Sequence, residues 1–231
     1  MNITIPEFTR SPYSIIVLSS VIIGIAVAAL LMKRAKVPSR QIMLTSLLAL
    51  FCIFNCAIVL AVATTGYLGF AGLGGALGLI IAIISSVLIF REHERVVFAS
   101  WVITAPLMYS LSKNGCTLAG CCRGFEYHGP FALVYGEDSC FPVQPLDTLL
   151  FMLVFIISLI IFTRAKDKLN TGLISLLMSG GVRIFTDSLR ESHQDILISQ
   201  SQVITVIVCG IGIACIVLLK KITKEGTDNG K

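Results

Sequence analysis

The sequence predicts an all-α membrane protein that crosses the bilayer about seven times. Of its 231 residues, 55% are hydrophobic and only 13% are charged, and the mean hydropathy is +0.89. This composition is typical of polytopic membrane proteins and argues against an ordinary soluble domain. Because no internal repeat, low-complexity stretch or linker divides the chain, we expect a single membrane domain over residues 1–231.

Seven apolar runs predict the transmembrane helices. A helix needs about 20 apolar residues to cross the hydrocarbon core. The first three runs and the last reach this length or nearly so, two are short, and the sixth is long enough only with its charged end. The runs are Tyr13–Met32, Ile42–Thr64, Leu68–Phe90, Val96–Leu111, Leu146–Phe162, Gly172–Leu189 and Val203–Leu219.

The lysines and arginines predict the orientation. Thirteen of them follow the first, third, fifth and seventh runs, four lie on the opposite side, and Arg183 falls within the sixth run. Basic residues accumulate in cytoplasmic loops, so we expect the N-terminus outside and the C-terminus in the cytoplasm. These flanks also account for the net charge of +5, and nothing in the sequence indicates a nucleic-acid partner.

The longest polar segment, residues 112–145, is predicted to form a small external loop between the fourth and fifth spans. It carries four of the eight cysteines, Cys116, Cys121, Cys122 and Cys140. In an oxidising compartment disulfides are the usual outcome, and a bridge from Cys140 to one of the others is less strained than a vicinal one. Free thiols and redox chemistry remain alternatives, although the chain lacks a Cys-x-x-Cys pair. The spacing is not a usual one for zinc, so we expect no metal and no cofactor.

A charged helical face lies at the end of the sixth run. In Arg183-Ile-Phe-Thr-Asp187-Ser-Leu-Arg190 the three charges have the spacing i, i+4, i+7, which places them on one face of a helix. A charge inside a bilayer costs several kcal/mol unless it is paired or faces a wet cavity. The face therefore indicates a functional site, or alternatively a helix end whose arginines reach the interface.

Glycines mark two further places where a ligand could approach the backbone. Gly74 and Gly75 lie near the start of the third span, where helix N–H groups can meet a lipid headgroup, although close helix packing explains them equally well. Gly115 and Gly120 lie in the predicted external loop.

Four motifs in order resemble the prolipoprotein diacylglyceryl transferase family. Gly115-Cys-Thr-Leu-Ala-Gly-Cys-Cys-Arg-Gly124 resembles its glycine-rich signature, and Phe141-Pro-Val-Gln-Pro-Leu-Asp147 resembles its Pro-x-Gln-Leu-Tyr-Glu segment. The charged motif 183–190 is similar to the family's Arg-Phe-x-x-Glu-Phe-Phe-Arg block, and Ile198-Ser-Gln-Ser-Gln202 to its Ile-Ser-x-Gly-Gln. Gly74-Gly75 resembles the end of its His-Gly-Gly motif.

The resemblance implies a fold, a reaction and site residues. It implies seven spans in the bacterial cytoplasmic membrane and transfer of a diacylglyceryl group from phosphatidylglycerol to the lipobox cysteine of an exported prolipoprotein. Arg183, Lys113 and His128 would then be catalytic, the two cations as phosphate partners and the histidine as a candidate base beside His193. The remaining residues would bind substrate: Arg190, Asp187, Gln144, Gln202, Gly74, Gly75, Gly115 and Gly120.

The sequence departs from the family pattern at three positions. Leu73 replaces the histidine of His-Gly-Gly, Lys113 replaces an arginine, and Ala119 replaces an asparagine. A lysine keeps the charge of an arginine but loses its bidentate geometry. A non-catalytic relative that binds lipid or peptide is therefore an alternative. A small transporter or thiol-redox membrane protein is a further one, which the absence of inverted repeats disfavours.

Overall fold

The computed structural model describes residues 3–4, 12–193 and 197–228, and seven long helices dominate these residues. They are α1 (Tyr13–Arg34), α2 (Ser39–Thr65), α3 (Gly72–Ile89), α4 (Glu94–Ala119), α5 (Val143–Arg164), α6 (Lys168–Asp187) and α7 (Gln200–Asp228). All except α6 are long and apolar enough to cross a membrane. The prediction of an all-α polytopic membrane protein is confirmed.

Helix α4 lies at the centre of the bundle. It packs against α1, α3, α5 and α6, while α7 packs mainly on α6. Large side chains along α4, including Val97, Trp101 and Ile103, are buried almost completely. Because buried apolar residues surround it, α4 can carry polar groups that a lipid-facing helix could not.

A proline inside α4 is accommodated by its neighbour α6. Pro106 has no backbone N–H, so the carbonyl of Val102, one helical turn earlier, loses its usual donor. The hydroxyl of Ser175 on α6 donates to this carbonyl at 3.5 Å. A serine on a neighbouring helix thus supplies the hydrogen bond that the lipid cannot.

Helices α2 and α3 pack closely through two glycines. A Cβ atom at Gly74 would lie 2.3 Å from the carbonyl oxygen of Cys56, and one at Gly78 would lie 2.3 Å from that of Cys52. The small residues therefore let two backbones approach, as is common between membrane helices. Close packing thus accounts for Gly74.

Helix α4 extends beyond its predicted end at Leu111. It continues to Ala119 and ends at Gly120, whose φ of +66° suits the left-handed position after a helix. The N–H of Gly120 donates to Thr117 and that of Cys121 to Cys116, which is the Schellman arrangement. The expected external loop 112–145 is therefore helical at both ends, and its non-helical part, here called the external segment, is residues 120–142.

The external segment forms a small sheet that the apolar pattern did not predict. Strand β2 (Leu133–Tyr135) pairs antiparallel with β3 (Asp138–Cys140), and β1 (Ile3–Thr4) joins β2 in parallel. Gly136, with φ of +63°, allows the tight turn between β2 and β3. Stacked and edge-on aromatic rings of Phe125, Tyr127 and Phe141 hold the segment together.

The external segment is also bonded to the chain that follows α6. Phe125 N–H donates to the carbonyl of Leu189, and Glu191 N–H donates to that of Arg123. Gly124 and Arg190 form a backbone bridge between these two stretches. This pairing fixes Arg190 at the end of the bundle where α4 and α6 finish and where α5 and α7 begin.

Candidate functional site

Five charged side chains of the described residues meet at this end of the bundle, and we call them the charged cluster. Four have side chains less than 10% exposed, and that of Arg183 is 20% exposed. A buried charge without a partner costs several kcal/mol, so such a group must be paired internally or with a ligand. The members are Lys113, Asp147, Arg183, Asp187 and Arg190.

Two carboxylates connect the three cations. Asp147 Oδ2 lies 3.0 Å from Arg190 Nη2 and 3.4 Å from Lys113 Nζ. Asp187 Oδ1 lies 3.5 Å from Arg183 Nη2 and 3.7 Å from Arg190 Nε. Arg183 and Asp187 therefore pair across one helical turn, as their i, i+4 spacing allows. Arg190 contacts both carboxylates and joins the two halves of the cluster.

A tyrosine at the centre of the cluster was not foreseen. Tyr109 Oη accepts hydrogen bonds from Arg183 at 2.7 Å and from Arg190 at 3.3 Å. The Lys113 ammonium lies 4.8 Å from the centre of the same ring. Tyr109 precedes Lys113 by one helical turn. Their i, i+4 spacing was therefore the feature of the sequence that could have indicated this contact.

The charged cluster has a positive excess and unused hydrogen-bonding atoms. Three cations and two carboxylates leave a formal charge of +1. Among the described residues, Arg190 Nε, Asp147 Oδ1 and Gln144 Oε1 are buried and have no hydrogen-bond partner. A monoanion with donors and acceptors of its own, such as a phosphodiester bearing hydroxyl groups, matches both features.

The start of α7 supports the cluster through a capping box. Ser199 Oγ accepts from the N–H of Gln202 at 3.1 Å, and Gln202 Oε1 accepts from the N–H of Ser199 at 3.3 Å. Ser199 also donates to Asp187, and Ser201 accepts from Arg183 at 2.6 Å. Gln202, expected to bind substrate, is therefore engaged as a helix cap, which leaves its amide little freedom for a ligand.

Gln144 and the predicted glycines lie in different places. Gln144 is fully buried and donates to the carbonyl of Cys121 at 2.9 Å, which puts it beside the cysteines. Gly115 faces Tyr13 of α1 at a packing distance, and Gly120 ends α4.

Gly74 and Gly75 lie on α3, whose first residue is Gly72. A Cβ atom at Gly75 would lie 3.8 Å from Ile53 of α2, whereas Gly74 is in close backbone contact with α2. Close packing of α3 on α2 therefore accounts for Gly74.

The two outer histidines differ in their surroundings. His128 is 74% exposed, and its Nε2 lies 4.0 Å from the exposed Glu126. It is not part of the charged cluster, because the external segment carries it into solvent. The Nε2 atom of His193 is buried and has no hydrogen-bond partner among the residues that the structure describes, and the backbone N–H of His193 donates to the carbonyl of Arg190.

All eight cysteines are free thiols in the structure. The Sγ atoms of Cys116, Cys121 and Cys122 lie within 4.8 Å of one another, and we call these three the cysteine cluster. Cys140 is buried in β3 and lies outside it. The predicted bridge from Cys140 therefore has no support in this geometry. The three thiols nevertheless lie close together despite their unusual sequence spacing, because α4 continues to Ala119 and Cys116 lies on its last turn.

The loop thiols sit beside the charged cluster. Hydrogen bonds from Cys116 and Cys121 lower the pKa of Cys122, and the charges of Lys113 and Arg190 lower it further. Hydrogen bonds with Cys116 and Cys122, followed by burial, raise the pKa of Cys121. Cys122 has φ of +57°, a left-handed conformation that costs a non-glycine residue about 1–2 kcal/mol.

A cavity of about 360 Å³ opens next to these thiols. Gly120, Cys122, Arg123, Glu191 and Ser192 line it. It therefore connects the cysteine cluster to the outside of the external segment, close to the stretch that bears Arg190.

The comparisons agree with the resemblance noted in the sequence. The sequence model of the prolipoprotein diacylglyceryl transferase family matches residues 1–218. No curated protein matches the chain in a sequence search. The family match extends over the helices, the charged cluster and the external segment, so this chain belongs to the prolipoprotein diacylglyceryl transferase family.

Proposed function

We propose that this protein transfers a diacylglyceryl group from phosphatidylglycerol to the thiol of a lipobox cysteine, in the bacterial cytoplasmic membrane. The family acts in prolipoprotein diacylglyceryl transfer, and the chain is a multi-pass membrane protein. The observation that carries the proposal is the charged cluster, which combines burial, an excess charge of +1 and, within the described residues, a donor on Arg190 that makes no hydrogen bond. A phosphodiester carries one negative charge, which this excess would neutralise.

The chemistry requires an anionic leaving group to be stabilised. The acceptor thiolate attacks a glycerol carbon, an S–C bond forms, and the C–O bond to phosphate breaks. Glycerol phosphate leaves with the electron pair of that bond, while the thiol proton passes to a base. Fixed cations at the leaving group lower this barrier because they need no reorganisation during the reaction.

We assign different tasks to the three cations. Arg183 is the most exposed of them and would make the first contact with phosphate. Lys113 and Arg190 share Asp147, which keeps both in place before the lipid arrives. Gln144 Oε1 is buried and has no partner in the described part of the chain, and it would accept a hydrogen bond from a headgroup hydroxyl.

The proton of the acceptor thiol needs a base, and the family histidine is replaced in this chain. Leu73 occupies the position of the family histidine, and His128 is in solvent. We therefore expect His128→Ala to change the transfer rate by less than about twofold, since a solvated residue outside the site contributes little. His193 lies closer to Arg190 than His128 does, because its N–H bonds to the Arg190 carbonyl. His193→Ala is therefore the variant to compare with His128→Ala.

A reconstituted assay tests the proposal. Purified protein in vesicles containing phosphatidylglycerol is incubated with a lipobox peptide, and mass spectrometry detects a diacylglyceryl thioether on the peptide cysteine. A peptide with serine in place of that cysteine is the control. If no product forms while another family member is active under the same conditions, the proposal is wrong. Retained binding of phosphatidylglycerol would then identify a non-catalytic relative, an alternative that Leu73 favours.

A further inference from the structure

The cysteine cluster has the composition of a metal site. Three thiols from one short stretch of chain lie within 4.8 Å of one another, although 116 and 121 are five positions apart. The Schellman bond from Cys121 N–H to the carbonyl of Cys116 turns the chain back over the last turn of α4. The left-handed backbone at Cys122 then brings a second, adjacent thiol to the same point.

The distances suit a soft cation after a small adjustment. Zn²⁺ binds thiolates at about 2.3 Å in tetrahedral geometry, which requires sulfurs about 3.8 Å apart. Rotation of cysteine side chains by one torsion angle covers the difference from 4.8 Å. Thiolate ligands favour Zn²⁺ and Cu(I) over hard cations such as Mg²⁺.

One side of the cluster remains open. Cys116 is buried and Cys121 half-buried, whereas Cys122 is exposed and lines the cavity of about 360 Å³. Among the described residues, no fourth histidine, cysteine or carboxylate completes the group. Three protein ligands with an open position are the pattern of catalytic zinc sites, while structural sites have four.

We infer that Cys116, Cys121 and Cys122 bind a thiophilic d10 cation, with Zn²⁺ as its representative, whose open position receives the acceptor thiol. The second half of this inference rests on the proposed function. A thiol that coordinates such a cation loses its proton to water and remains nucleophilic. The metal thus replaces the missing family histidine at Leu73. The coordinated thiolate then attacks the glycerol carbon, and glycerol phosphate leaves as described above.

Metal content tests the site without reference to activity. The full-length protein is purified reduced, dialysed against Zn²⁺ and analysed by elemental mass spectrometry, and Co²⁺ is added to follow sulfur-to-metal charge-transfer absorption. We expect one equivalent in the wild type and in Cys140→Ser, the control. Cys121→Ser and Cys122→Ser should each weaken binding by more than about a hundredfold, because even outer-shell partners contribute 10–100-fold. Absence of stoichiometric metal from the reduced wild type, or unchanged binding in both variants, overturns the inference.

Transfer activity then tests the role of the open position. Chelation should abolish thioether formation, and Zn²⁺ should restore it in the wild type and in Cys140→Ser but not in Cys122→Ser. Full transfer by metal-free protein would overturn the role and leave the proposed function intact. A protein that binds metal but transfers nothing would instead refute the proposed function, and with it the role of the metal in transfer. The metal site itself would still be established by the measured metal content.

Discussion

Asp147 of α5 accepts a hydrogen bond from Arg190 at 3.0 Å, and the two buried residues are 43 positions apart in the chain. This contact joins the start of α5 to the chain after α6. Because Asp147 also pairs with Lys113, a single carboxylate holds two of the three cations.

Loss of that carboxylate should destabilise the protein. Asp147→Asn leaves Lys113 and Arg190 buried without their shared anion, and such a loss costs about 3–5 kcal/mol. We expect thermal unfolding in detergent to shift down by about 6 °C or more. Asp138→Asn is the control, because Asp138 pairs with Arg123 but is 74% exposed, and surface pairs contribute little. Equal shifts in the two variants would contradict the buried pairing.

Two adjacent glycines of α3 should respond oppositely to alanine. A Cβ atom at Gly74 would overlap the backbone of α2 at 2.3 Å, so Gly74→Ala should cost about 1–3 kcal/mol. A Cβ atom at Gly75 has 3.8 Å of clearance, so Gly75→Ala should stabilise α3 by up to about 1 kcal/mol. Thermal unfolding of both variants measures the difference. A tolerated Gly74→Ala would show that the two helices are further apart.

Substitution of Gln202 should affect mainly the stability of the protein, whereas substitution of Gln144 should affect mainly substrate binding. Gln202→Ala removes half of a capping box and should cost about 1 kcal/mol of stability, with transfer kinetics largely unchanged. Gln144→Leu removes the Oε1 atom that has no partner among the described residues, together with the bond to the Cys121 carbonyl, and loss of the lipid contact alone should raise KM for phosphatidylglycerol by about tenfold, the effect of one hydrogen bond. Steady-state kinetics and unfolding measurements on both variants are required. A raised KM in Gln202→Ala, with an unchanged KM in Gln144→Leu, would show that Gln202 binds the substrate.

The orientation of the chain predicts which thiol is reached from outside. In intact cells treated with reductant and chelator, an impermeant maleimide should label the exposed Cys122, and Cys122→Ser should lose that signal. The control is Glu92→Cys in the turn between α3 and α4, which should react only after permeabilisation. Labelling of Glu92→Cys in intact cells would show that the chain has the opposite orientation.

The sequence predicted correctly those contacts that are made between residues close together in the chain. Helical periodicity placed Arg183, Asp187 and Arg190 on one face, and the structure pairs them as the spacing indicates. Asp147 and Tyr109 were not identified as members of the cluster, because their contacts depend on how distant helix ends align. The polar composition of residues 112–119 suggested a loop, yet these residues are helical because α4 buries Lys113 and Cys116 against the bundle.

The cysteines show the same limit. Ligand spacing alone disfavoured a metal site, since Cys116 and Cys121 are not separated by the usual number of residues. The convergence of the thiols depends on the helix end and on the left-handed backbone at Cys122, neither of which the sequence displays directly. Gly120, just after the last helical turn, was the one local signal of that geometry.

Substitution of Arg183 tests the central claim most directly. The rate of thioether formation is measured with phosphatidylglycerol and a lipobox peptide for the wild type, Arg183→Ala, Arg183→Lys and the exposed control Arg164→Ala. Removal of one preorganised contact to the leaving group costs about 3 kcal/mol, so Arg183→Ala should be slower by about a hundredfold. Arg183→Lys should lie between it and the wild type, and Arg164→Ala should match the wild type. If Arg183→Ala stays folded and transfers within twofold of the wild-type rate, the charged cluster is not the phosphate site.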